Sequence, residues 1–184
     1  MKKAVFTTLW LALASDPLIC QDLGKNSPLP KPSSLLTLQN QHCGFWLRYP
    51  KGSRLEWPGD CVLKITLPPP ADAPWIQEAT LTLEVTAAEN GEATESPLDG
   101  EDTSGFLKTG RLTFSKSIDA DPDAGHTQVM VSYTAVGKQH QYHFLGILRA
   151  GKPESAGKKA SHWNAQKTAE KIFDGMLLNF KPQE

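Results

Sequence analysis

Five histidines and the acidic run Asp119-Ala120-Asp121-Pro122-Asp123 are the residues of this chain best suited to hold a metal or move a proton. A calcium loop wants oxygen ligands at its first, third and fifth positions, glycine at the sixth and a bidentate glutamate at the twelfth. Counted from Asp119, the sixth residue is Ala124 and the twelfth is Met130. The sharp turn and the closing ligand are both missing, and the run reads as a turn between strands. His140 and His143 are three apart; on a strand such residues point to opposite faces and cannot share one ion. His42, His126 and His162 join a site only through the fold. Ser155, in Pro153-Glu154-Ser155-Ala156-Gly157, has half the pattern of a nucleophile elbow, but Pro153 stands at the first glycine and no strand leads into it. No phosphate loop, dinucleotide fingerprint or zinc-ribbon spacing occurs. These residues predict no catalytic site, no metal and no cofactor.

Other side chains carry a different chemistry. Cys20, Cys43 and Cys61 allow three single pairings. Phe45, Leu47 and Tyr49 alternate with Gly44, Trp46 and Arg48, Pro50-Lys51-Gly52-Ser53 supplies turn chemistry, and Leu63, Ile65 and Leu67 alternate beyond it. A hairpin centred on Gly52 places Cys43 opposite Cys61, so a Cys43–Cys61 disulfide is expected, with Cys20 left over. Trp46 alternates away from the cysteine face, and His143, alternating with Gln141, turns toward water. Trp46 and His143 are the candidate ligand surface.

The elements that position these residues read as mostly strands. After the first hairpin, Pro68-Pro69-Pro70 stops the ladder, since proline has no amide to donate. Leu81, Leu83 and Val85 alternate with Thr80, Thr82, Glu84 and Thr86, a half-buried strand. Residues 89–102 hold six acidic side chains and no basic one, which reads as a solvated loop. Leu112 and Phe114 mark another strand, as do Val129, Val131 and Tyr133. Val136-Gly137-Lys138-Gln139 connects to a strand over 140–148, with Tyr142 and Phe144 inward. Residues 151–159 form a basic loop. Ala165, Ala169, Ile172, Phe173, Met176, Leu177 and Phe180 recur at helical spacing, with Ser161 as the cap and Lys167, Glu170, Lys171 and Asp174 toward water.

Length and composition bound the rest. One domain fits 184 residues, and a net charge of −1 with 39% apolar residues gives neither disorder nor the basic excess of a nucleic-acid binder. Lys2 and Lys3 precede an apolar run that ends in Ala12-Leu13-Ala14, the order of a secretory signal cleaved after Ala14. The reading is a signal peptide over 1–14, a Pro/Ser-rich linker over 15–41 with a short ordered piece around Leu35, Leu36 and Leu38, and a single α+β domain over 42–184. No run is long enough for a transmembrane helix. Acylation of Cys20 has little support, because Pro17-Leu18-Ile19 lacks the small residue a lipoprotein signal places before its cysteine.

Two stretches resemble a known family. Gly44-Phe45-Trp46-Leu47-Arg48-Tyr49-Pro50-Lys51-Gly52 is similar to the opening strand and turn of PsbP-like proteins, and Lys171-Ile172-Phe173-Asp174-Gly175-Met176-Leu177-Leu178-Asn179-Phe180-Lys181 to their closing helix and tail. The Ran-binding Mog proteins share that fold. Asp123-Ala124-Gly125-His126-Thr127, Tyr133 and Tyr142-His143-Phe144 look like bacterial secreted proteins. The resemblance implies an antiparallel sheet sandwiched by helices and a role in binding or assembly; it transfers no active site. The expectation is a periplasmic or secreted accessory domain that binds a protein or small molecule without catalysis. Two rivals stand beside it: a hydrolytic or metal-dependent enzyme built from His126, His143 and the 119–123 run, and a lipid-anchored envelope component.

Overall fold

The structure, a computed structural model, describes residues 34–71, 73–88, 105–123, 126–151 and 164–183. The leader, Cys20, the acidic stretch 89–102, Ser155, Ser161 and Trp163 lie outside the described residues. In chain order the elements are β1 (Leu35–Asn40), β2 (Phe45–Pro50), β3 (Arg54–Gly59), β4 (Val62–Thr66), β5 (Ile76–Ala87), β6 (Gly105–Thr109), β7 (Leu112–Asp123), β8 (His126–Val136), β9 (His140–Gly151), α1 (Ala165–Leu177) and β10 (Lys181–Pro182). They form two antiparallel sheets, a small one ordered β1-β2-β10 and a large one ordered β3-β4-β5-β9-β8-β7-β6. The fold class is therefore α+β with antiparallel sheets and one C-terminal helix. The helix and the small sheet lie on the same face of the large sheet. Among the described residues no helix covers the other face, which an α/β/α sandwich requires.

Alternation explains which face is covered. Leu81, Leu83 and Val85 of β5 stand beside Gly146, Phe144 and Tyr142 of β9, and these beside Val131, Tyr133 and Ala135 of β8. All the apolar members of that row are buried. One residue along, Thr82, Glu84, Leu145, His143, Ser132 and Thr134 share the opposite face. The apolar stripe of α1 docks on the covered side: Ala169, Ile172, Phe173, Met176 and Leu177 are buried as the helical spacing predicts. Gly146 makes room for it, since a Cβ there would sit 2.5 Å from the Phe173 ring. The cap is Asn164, whose side-chain oxygen accepts from the Lys167 amide at 2.9 Å, and not Ser161.

The first hairpin is a correction. Strand β2 does not pair with β4. Gly52, at φ 91°, turns the chain into β3, which forms the hairpin with β4, while β2 pairs with β1 and β10. Residues 54–59 are a strand with a bulge between Glu56 and Gly59, where Pro58 needs no ladder partner. The apolar faces of β2 and β4 thus meet across the core instead of edge to edge. Cys43 and Cys61 still bond, with Cα atoms 5.5 Å apart, but the disulfide ties two layers and not two strands of a hairpin. The expected ordered piece near Leu35 is β1, paired along its length with β2.

Phe180 is the aromatic centre between the layers. Its ring lies 6.1 Å from Phe45 in the small sheet, and 5.0 Å from both Tyr142 and Phe144 in the large one. The Gly44 carbonyl accepts from the Tyr142 hydroxyl at 3.1 Å and from the Gln183 amide at 2.7 Å. Gly44 has φ 64°, and a Cβ there would come within 2.9 Å of the His140 ring. Only glycine fits that crossing point.

Candidate functional site

Residues directly opposite on neighbouring strands share a face, and this sets the surroundings of Trp46. Phe45 and Leu47 are fully buried, so Trp46 between them points away from the core and is 42% exposed. Gln39 of β1 lies beside it on one flank and Lys181 of β10 on the other. Arg48, two residues on, is opposite Thr37. Arg48 and Lys181 make no ion pair among the described residues. An indole framed by an amide and two cations results, on a strand anchored at one end by the disulfide. Such a surface can stack on a flat ring and donate hydrogen bonds to acceptors on its rim.

An open groove of about 290 Å³ shares Lys181 with this face and lies between β10 and the β6–β7 turn. Thr109, Gly110, Arg111, Phe180, Lys181 and Pro182 line it. Gly110 adopts φ 55° to make the tight turn. The sequence reading missed this groove. Its members are distant in the chain, and the two-residue β10 has no alternation to announce it.

His143 lies elsewhere. It is half-buried on the far face of the large sheet, beside Glu84 and Thr134, with its Nε2 3.1 Å from the Ser132 hydroxyl. Trp46 and His143 therefore occupy opposite sides of the two-layer body and cannot meet one small ligand. His140 faces inward, its ring 6.2 Å from Tyr142, so the two histidines diverge as their spacing requires.

The residues of the enzyme rival are spread along the sheet. The 119–123 run is not a turn. It is the last part of β7, whose register pairs Asp119 with Met130 and Asp121 with Gln128. The reason is cross-strand pairing: β8 is long enough to extend the ladder through Pro122 to Asp123, which pairs with His126. His143 pairs with Thr134, eight residues along β8 from His126, or about 26 Å at the usual rise. No group of three or more His, Cys, Asp or Glu that could hold a metal occurs among the described residues.

A second polar cluster was also missed, and it lies half-buried where α1 meets the large sheet. Lys116 of β7 sits on the covered face, between Phe114 and Ile118, opposite Tyr133. Its ammonium donates to Glu170 Oε1 at 2.8 Å and to Asp174 Oδ2 at 3.3 Å. The Tyr133 hydroxyl donates to Asp174 Oδ1 at 2.6 Å. The expectation that Glu170 and Asp174 face water holds only in part: both are half-buried and reach back to Lys116, whose ammonium is largely shielded by the helix and needs an anion beside it. Burial, and then the hydrogen bond to Asp174, hold the Tyr133 pKa far above its usual value. For Lys116, burial pulls the pKa down, but the carboxylates of Glu170 and Asp174 outweigh it and the net shift is upward. With both protons held firmly, this cluster is built to clamp the helix and is poorly suited to proton transfer.

No protein-family profile and no curated protein matches the chain. Among solved structures, one from Bacteroides thetaiotaomicron VPI-5482 is similar, with a TM-score of 0.48 and 11% identity over 76% of this chain. This chain spans 45% of that one, and a likeness so distant says nothing of function.

Proposed function

We propose that the chain is a non-catalytic binding or accessory domain of an exported bacterial protein, acting in the periplasm or outside the cell, and that Trp46 is its ligand contact. The observation that carries this is the outward Trp46 held between Arg48, Gln39 and Lys181. Keeping a large aromatic ring in water forgoes hydrophobic free energy that a ligand would recover, on the order of 2 kcal/mol. The ligand chemistry that fits is a ring with an apolar face and oxygen acceptors on its rim, as in a saccharide, whose C–H face can stack on the indole. The Cys43–Cys61 bond supports an oxidising compartment.

Affinity electrophoresis through gels containing soluble polysaccharides, neutral and acidic, tests the reading. Retardation by at least one polysaccharide is expected, weakened about tenfold or more by Trp46→Ala and unchanged by His143→Ala. Retardation that depends on His143 and not on Trp46 would overturn it, as would turnover of the polysaccharide.

A further inference from the structure

We infer that the groove between β10 and the β6–β7 turn is an oxyanion site, taking a carboxylate, sulfate or phosphate group. The inference deepens the binding reading by adding a charged subsite next to Trp46, but it stands on its own residues.

Three observations converge. Arg111 and Lys181 line the groove from opposite walls, both exposed and without an ion pair among the described residues. Two cations left unneutralised across one opening repel each other, and an anion between them removes that cost. Arg111 also offers the planar fork that matches an oxyanion with paired hydrogen bonds.

The third wall residue is the most telling. Thr109 is 4% exposed, lines the groove, and its hydroxyl has no hydrogen-bond partner among the described residues. A buried hydroxyl without a partner is costly and rare. The hydroxyl gives up no bond by turning to an oxyanion held by Arg111 and Lys181, which would be the acceptor it lacks. Phe180 and Pro182 supply an apolar floor, which strengthens charge interactions by keeping water off one side. Lys181 is shared with the Trp46 face through its register. A ligand with an acidic group next to a flat ring would use both subsites.

The test follows backbone amide resonances of the purified protein titrated with inorganic phosphate and sulfate, against chloride at matched ionic strength. Saturable shifts are expected at Thr109, Gly110, Arg111 and Lys181 with either oxyanion and not with chloride. Arg111→Gln should weaken binding about tenfold or more, and Thr109→Val several-fold without loss of thermal stability. Trp46→Ala should leave the phosphate shifts in place, so loss of the stacking subsite and loss of the anion subsite are read separately. Shifts that fail to saturate, that chloride reproduces, or that survive Arg111→Gln would overturn the inference.

Discussion

Lys116 shows how one residue can commit two others. A lysine at an inward position of β7, flanked by buried Phe114 and Ile118, cannot stay there without anions. Glu170 and Asp174, one helical turn apart, supply them. Part of this was legible in the sequence, since Lys116 interrupts an apolar alternation. Its partners were not, because a helical stripe counted on apolar residues alone leaves Glu170 and Asp174 on the wet side. The cluster sets a pH dependence. In the folded protein Tyr133 and Lys116 both have raised pKa values, so the protonated forms are favoured by folding. Their contribution is complete below the ordinary values, near 10 for tyrosine and lysine, and is lost as pH rises beyond them. Urea midpoints should therefore hold steady from pH 7 to 9 and fall steeply above pH 10. Tyr133→Phe should lower stability at pH 7 by about 1–2 kcal/mol and blunt that alkaline fall. An equally steep fall in the variant would remove Tyr133 from the account.

At the level of elements, strand periodicity and helix stripe were plain, and pairing was not. The alternation in β2 and in β4 is the same whether the two strands sit edge to edge or face to face. What decided between them was residues 54–59: a hairpin centred on Gly52 sets them opposite β2, whereas they form a strand that turns at Asp60–Cys61 and pairs with β4. Once they form β3, β4 takes that partner and β2 is left to β1 and β10. The Cys43–Cys61 pairing was right for a reason that was only partly right. A disulfide closing a loop of this separation stabilises by about 3 kcal/mol. Reduction, or the double change Cys43→Ala and Cys61→Ala, should lower the melting temperature by several degrees, and calorimetry would register it. The docking of α1 makes its own prediction. Gly146→Ala pushes a methyl into the Phe173 ring and should cost about 1–3 kcal/mol by denaturant unfolding. Phe173→Leu in the same chain should return part of that loss.

For the molecule as a whole, two layers leave two outer faces. One carries Trp46, Arg48 and Lys181, the last of which also lines the Thr109–Arg111 groove; the other carries His143, Ser132 and Glu84. The sequence pointed to Trp46 by its alternation. It could not show the groove, which exists only because the chain returns β10 to the edge of the small sheet. The proposed export makes a separate whole-chain prediction: protein recovered from the periplasm or medium of an expressing bacterium should begin at Ser15, and a cytoplasmic product that retains Met1 would contradict it. The central claim is that the Trp46 face is where the ligand sits. Hydrogen–deuterium exchange, with and without a polysaccharide that retards the protein, tests it most directly. Protection is expected in β2 and at residues 180–183 while β8 and β9 exchange unchanged. Protection confined to residues 130–134 and 141–147, with β2 unaffected, would contradict it.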